Sequence, residues 1–186
     1  MNILITGATG FVGSALVSHL HQRGHTVVSL ARGLGHAPPC WSPAQGHIDL
    51  SCSLPLDAVV HLAGENVAGG RWTPARKARI RDSRIEGTQL LALKLCTLSP
   101  RPKVLISASG VGFYGPQRDA VLDEGSPWGQ GFLAEVCRDW EAAADPARDA
   151  GIRVVHPRIG MVLSPDGGAL GKMLPPFRMG LGGVVG

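Results

Sequence analysis

The chain has 186 residues, 44% of them hydrophobic and 17% charged, with 26 glycines and few aromatics. That balance fits one globular domain and excludes a disordered chain, and the lack of a Gly-X-Y period excludes collagen. The net charge of +4 draws on one stretch, where Arg71, Arg76, Lys77, Arg79, Arg81 and Arg84 face a lone Asp82. This reads either as a solvated helix face or as an attractor for an anionic small molecule. With no zinc-finger spacing, RNA-binding aromatic motif or basic tail, it points away from nucleic acid.

Residues 2–6, Asn-Ile-Leu-Ile-Thr, form an apolar run ending at a glycine, as a buried parallel strand does. Residues 11–23 place Phe11, Val12, Ala15, Leu16 and Leu20 at near-helical spacing, and Gly24 closes that helix. A second buried strand follows at 26–31. Residues 33–56 hold Pro38, Pro39, Pro43 and Pro55 and read as loop, with a short strand at 46–50. Strands return at 57–62 and 103–107, separated by a long helix at 74–98 with Pro74 near its first turn. An amphipathic helix at 132–144 presents Phe132, Leu133, Val136, Trp140 and Ala143, and 153–155 begins the last clear strand.

Strands alternating with helices predict an α/β fold: a doubly wound parallel sheet of Rossmann type, with its ligand crevice at the C-terminal strand ends. Cys40, Cys52, Cys96 and Cys137 form no C-x-x-C pair and read as reduced thiols. His21 and His25 straddle Gly24 at a helix end, so no metal site is expected there. The start of the chain lacks the charged and long apolar regions of a signal peptide, and the apolar residues 3–5 are too few to span a membrane. A cytoplasmic protein without a membrane partner is expected.

The chemistry-bearing motif is Gly7-Ala8-Thr9-Gly10-Phe11-Val12-Gly13, set between the first strand and the first helix. Gly7 allows the sharp turn, Gly10 lets a pyrophosphate approach the backbone, and Gly13 lets the helix pack close to the strand. The helix N-terminus supplies free N–H groups and partial positive charge to the phosphates. The second strand ends in Ala31-Arg32, with no acid to hold a ribose 2′-hydroxyl. An arginine there accommodates a 2′-phosphate, so NADP(H) is the predicted cofactor.

Further along come His61-Leu62-Ala63-Gly64-Glu65-Asn66, Arg71-Trp72-Thr73, Ser83-Arg84, Ser107-Ala108-Ser109 running to Gly112-Phe113-Tyr114-Gly115, Trp140-Glu141 and Pro157-Arg158-Ile159-Gly160. With these motifs the chain resembles the extended short-chain dehydrogenases/reductases, the superfamily of sugar-nucleotide epimerases. More narrowly, it resembles their atypical branch of epimerase family proteins, some of which have been labelled cell-division inhibitors. The resemblance implies that Leu62, Ala63 and Gly64 line the adenosine side of the cofactor groove and that Arg84 reaches the cofactor from the long helix. It also implies that Ser107 and Ala108 lie near the nicotinamide and Val162 at its carboxamide end. A small substrate, nucleotide-sugar-like in character, and a homodimer are implied in the same way.

Active members of that superfamily use a serine together with a Tyr-x-x-x-Lys on the following helix, the lysine lowering the pKa of the tyrosine that moves the proton. Ser109 matches the serine. Neither Phe132 with Val136 nor Leu133 with Cys137 supplies the tyrosine and lysine. Tyr114, the single tyrosine, is the second catalytic candidate; Arg118 four residues later imitates the motif, but in a loop. Glu65 and Cys137 are further proton donors. Two functions therefore stand open: an NADP(H)-dependent oxidoreductase or epimerase-like enzyme acting on a small carbonyl or hydroxyl substrate, and a non-catalytic NADP(H)-binding or regulatory protein. Residues 1–165 are expected to form the NADP-binding domain. Residues 166–186 are expected to begin a substrate-binding lobe, truncated after Gly182-Gly183-Val184-Val185-Gly186.

Overall fold

A computed structural model describes residues 1–51, 55–117, 120–165 and 167–183; Cys52, Arg118 and Val184 to Gly186, all noted above, lie outside the described residues. Strand β1 (Asn2–Thr6) is buried over its last four residues. It leads through the glycine loop into helix α1 (Phe11–Gln22). Gly24, at φ +74°, ends that helix in a Schellman motif: its N–H donates to the His21 carbonyl (2.9 Å), and the His25 N–H to that of Leu20 (3.0 Å). Strand β2 (Thr26–Arg32) then runs parallel to β1, pairing Ile3 with Val27 and Ile5 with Ser29.

The proline-rich stretch carries more order than its composition suggests. Strand β3 (Cys40–Ser42) pairs parallel with the end of β2, and β4 (His47–Asp49) returns antiparallel to β3. Trp41 explains the missed strand. Its side chain is among the largest fully buried ones, and its ring lies where a Cβ on Gly87 would come within 3.4 Å of it. Burial of an indole outweighs the weak local preference of three residues after two prolines.

Strand β5 (Ala58–His61) lies on the other side of β1. Helix α2 (Pro74–Cys96) starts with Thr73, whose hydroxyl accepts the Arg76 N–H at 3.3 Å, and with Pro74 in its first turn. Strand β6 (Val104–Ser107) pairs with β5, then β7 (Ser109–Gly110) and a 3-10 turn at Val111–Tyr114 lead toward α3 (Phe132–Ala142). Helix α4 (Asp145–Asp149) precedes β8 (Arg153–Val155), and β9 (Arg158–Ile159) pairs with β7. The hairpin-like β10 (Leu163–Ser164) and helix α5 (Gly168–Arg178) follow.

The main sheet has the order β4-β3-β2-β1-β5-β6-β8, parallel except at β4. Its two faces have separate apolar layers. Ile3, Ile5, Ala58 and Val60 meet Leu16, Val17 and Leu20 of α1. Leu4, Val59 and Leu105 meet Leu91, Ala92 and Leu95 of α2, with Ala144 and Ala147 beyond them. Each fully buried leucine contributes about 1.5–3 kcal/mol of transfer free energy, so α2 is held by its apolar stripe despite its charged outer face. The chain leaves β1 toward β2 on one side and returns to β5 on the other. The switch point between β1 and β5 is where a doubly wound sheet opens its crevice.

Candidate functional site

The glycine loop sits at that switch point, and its atoms leave no room for side chains. A Cβ on Gly13 would lie 2.1 Å from the Gly7 carbonyl oxygen, and one on Gly7 (φ +71°) would lie 2.9 Å from the Ala63 nitrogen. The Gly10 N–H donates to the Gly7 carbonyl at 3.0 Å. Helix α1 begins with no side-chain cap and no acid in its first turn, so its N-terminal N–H groups and positive dipole end remain open to an anion. Thr9, Gly10, Phe11 and Val12 are exposed around this opening, and Gly13 is buried beneath it. These features fit the pyrophosphate of a dinucleotide.

Thr6 fixes the opposite wall. Its hydroxyl accepts the N–H groups of Leu62 and Ala63, both at 3.2 Å, and stands 2.6 Å from His61 Nδ1. With two N–H groups pointing at the oxygen, its own proton goes to the ring nitrogen. Burial pushes the His61 pKa down to about 4, with Arg84 adding repulsion, so the ring is neutral near pH 7. Its edge packs against Trp41 at 5.7 Å between ring centroids.

Two cavities flank the switch point. One, of about 370 Å³, holds Arg32 and Arg79 together with Glu65, Asp82, Ser83 and Glu86, at the end of β2. Ala31 lies beside it, with its N–H donating to the Pro39 carbonyl. The other, of about 330 Å³, brings together Val12, Leu62, Arg84, Ala108 and Ser109 with Val67, Leu133, Cys137, Trp140 and Ile159. Arg84 crosses between the two regions. Its Nη1 donates to the carbonyls of Glu65 and Ile80, both at 3.0 Å, its guanidinium stacks 5.0 Å from the Trp140 ring, and a Cβ on Gly64 would lie 3.2 Å from it.

Val12, Leu62, Arg84, Ala108, Ser109 and Cys137, six of the candidate residues, thus share the second cavity, while others fall elsewhere. Ser107 is fully buried under Ala108, and its Oγ has no hydrogen-bond partner among the described residues. Val162 lines an open groove with Phe11 and Val12 along α1. Tyr114 is buried away from the Ser109 cavity and borders a separate one with Trp128 and Gln130. Its hydroxyl donates to the Asp123 carbonyl at 2.9 Å.

The two catalytic candidates are joined through a pair that the motifs contained but spacing gave no role. Ser109 Oγ donates to Glu141 Oε1 at 2.7 Å. Arg158 donates from Nε and Nη2 to the two oxygens of Glu141, each at 2.9 Å, and from Nη1 to the Tyr114 hydroxyl at 2.9 Å. Burial works to raise the Glu141 pKa, but the bonds from Arg158 and Ser109 outweigh it and hold the carboxyl below the usual range. The same carboxylate raises Arg158. On α3, Phe132 packs against Trp72 with centroids 5.7 Å apart, so Leu133 and Cys137 are the four-apart pair that faces the cavity. Burial raises the Cys137 thiol, leaving it protonated near neutral pH.

A family model for the NAD dependent epimerase/dehydratase family matches residues 3–175. The chain belongs to that family. The epimerase family protein Mb2239 of Mycobacterium bovis is 43% identical over 189 residues, covering 99% of this chain and 61% of its own length. The chain therefore spans about three fifths of the curated relatives it matches. The crystal structure of human epimerase family protein SDR39U1 with NADPH superposes with a TM-score of 0.85 at 39% identity, covering 100% of this chain and 62% of that one. A nucleoside-diphosphate sugar epimerase of Corynebacterium glutamicum gives a TM-score of 0.80, also at 39% identity, over 100% of this chain and 39% of its own.

Proposed function

We propose that this chain binds NADP(H) across the C-terminal ends of its strands and serves an oxidoreductase or epimerase-like reaction on a small carbonyl or hydroxyl substrate. The observation that carries the reading is the uncapped start of α1 packed directly on the glycine loop, where a Cβ on Gly13 would lie 2.1 Å from the Gly7 oxygen. The phosphates rest at Gly7, Thr9, Gly10, Phe11, Val12 and Gly13. Arg32, beside Ala31, takes the 2′-phosphate, and Leu62, Ala63, Gly64 and Arg84 form the wall of the groove. Ala108, with Ser107 beneath it, and Val162 border the nicotinamide end. The SDR39U1 crystal structure with NADPH supports this choice of cofactor. Bound there, the nicotinamide supplies or accepts a hydride; the chain's part is to orient it beside Ser109 in the smaller cavity.

Substrates of nucleotide-sugar character suit the family, and residues 166–186 would begin the lobe that receives them. Tyr114 acts by holding Arg158, on its 2.9 Å bond, with Ser109 as the residue at the cavity. Among the described residues no helix is long and apolar enough to cross a membrane. The cytoplasm is the compartment proposed, on the free thiols of Cys40, Cys96 and Cys137. A homodimer is proposed by analogy with the superfamily.

The pair Leu133 and Cys137 facing the cavity supports a second reading, an NADP(H)-binding protein without turnover. Fluorescence titration with NADPH and NADH tests the common part. NADPH binds tenfold to a hundredfold more tightly, and Arg32→Ala removes the preference. Failure to bind either nucleotide would sink both readings. NADPH consumption with a panel of carbonyl compounds, abolished by Ser109→Ala, separates the enzyme from the binding protein.

A further inference from the structure

We propose that Glu141 and Arg158 are positioning residues that turn Ser109 into a hydrogen-bond acceptor toward the cavity, so that the site takes its ligand by a hydroxyl group. This rests on the reading that the cavity is a ligand site.

A serine hydroxyl has one proton and two lone pairs. The Ser109 proton is assigned by its partner. Glu141 is gripped by two N–H groups of Arg158, and the side chains of Glu141 and Arg158 are only 15% and 17% exposed. A carboxylate so paired is ionised and can only accept. At 2.7 Å it takes the Ser109 proton; of the two Ser109 lone pairs one is within reach of the Cys137 thiol, and the other is left for the cavity that Ser109 lines. Arg158 is itself fixed on every side. Its third N–H goes to the Tyr114 hydroxyl, whose proton is committed to the Asp123 carbonyl, and its guanidinium lies 3.5 Å from the Phe113 ring centre.

Part of the donor capacity of the other side chains at the cavity is spent on the protein. Trp140 Nε1 donates to Thr88 at 2.8 Å, and Arg84 Nη1 to the Glu65 and Ile80 carbonyls. The Cys137 thiol is a weak donor. A ligand hydroxyl thus meets a fixed acceptor at Ser109. The charged and titratable groups facing Glu141 are Arg158 and His156 from the β8–β9 segment and Cys137 from its own helix.

Tyr114 is the single tyrosine, so a ring-labelled [13Cζ]tyrosine sample gives one NMR line that reports on Arg158. Acid that protonates Glu141 releases Arg158 and moves this line. Ser109→Ala shifts the transition to higher pH, Glu141→Gln removes it, and Arg158→Lys retains a weakened one. A line indifferent to both Ser109→Ala and Glu141→Gln overturns the array. Cyclohexanol and fluorocyclohexane, alike in size and neither able to accept a hydride, then probe the acceptor in the NADPH-loaded chain by saturation-transfer NMR. The affinity ratio of alcohol to fluoride falls threefold to tenfold in Ser109→Ala. An unchanged ratio overturns the proposal. NADPH affinity is titrated on the same samples. Lost NADPH binding with an intact tyrosine transition counts against the cofactor reading alone, and binding without the transition counts against this inference alone.

Discussion

At the scale of single residues, one methyl group decides whether the cofactor loop can form. Gly13→Ala would put a Cβ 2.1 Å from a backbone oxygen that has no flexible atoms to yield. Helix α1 must then move off the loop, at about 1–3 kcal/mol of overpacking, and NADPH affinity falls at least about tenfold. Gly24→Ala is the control. Its φ of +74° strains a side chain, but nothing stands within 4 Å. It costs about 1 kcal/mol and leaves NADPH binding intact. Urea midpoints beside nucleotide titrations distinguish the two, and equal effects on binding would remove the argument from close packing. A buried hydrogen bond gives a second test. Thr88→Val keeps the shape but leaves Trp140 Nε1 without its acceptor at 2.8 Å. The buried indole N–H then costs about 1–3 kcal/mol, read as a lower urea midpoint with an unchanged slope.

At the scale of elements, the C-terminal strand ends carry a polar row across the sheet: Thr6 on β1, His61 on β5, Ser107 on β6 and His156 just past β8. An unfolded His61 takes its proton near pH 6.5, while in the sheet burial and Arg84 push that down to about 4. The stability gained by keeping the ring neutral is complete above pH 6.5 and lost as pH falls toward 4. The loss amounts to about 3 kcal/mol. His156 is lowered in the same sense, first by burial. Urea midpoints measured from pH 7 to pH 4.5 should therefore fall, and His61→Gln should flatten that slope while lowering the midpoint at pH 8. A slope unchanged by His61→Gln would exclude His61 as its source. This row shows how far sequence reading reaches. The β1–loop–α1–β2 unit, α2 and the core strands were legible because apolar runs and glycine punctuation are local signals. Helix α4 was hidden by Pro146, which is tolerated near its start, and α5 by Pro175 and Pro176 inside it. On α3, periodicity put Leu133 on the inner face, but it is 38% exposed at the cavity while Ala134 and Cys137 are buried. The glycine loop was readable because its residues are close in sequence. The Glu141–Arg158 pair was not, since only folding brings together two charges seventeen residues apart.

At the scale of the molecule, the site belongs to neither half of the sheet. The glycine loop follows β1, while Ala108 to Gly112 follow β6, and Val12 beside the loop and Leu62 after β5 both line the Ser109 cavity. A dinucleotide lying across the switch point must touch both sides, so binding should couple them. At a hundredfold excess over Kd, a ligand that binds only the folded chain adds about 2.7 kcal/mol to its stability. Hydrogen exchange shows where that gain is placed. With NADPH, amides 10–13 and 108–112 should gain protection together and over the same range of ligand concentration. A mononucleotide carrying the adenosine 2′,5′-bisphosphate should protect only 10–13 and the end of β2 around Arg32. If NADPH gave that same restricted pattern, the nicotinamide would lie outside the Ser109 cavity. The chain would then be reading the phosphates alone, and the non-catalytic reading would follow from geometry without any assay of turnover.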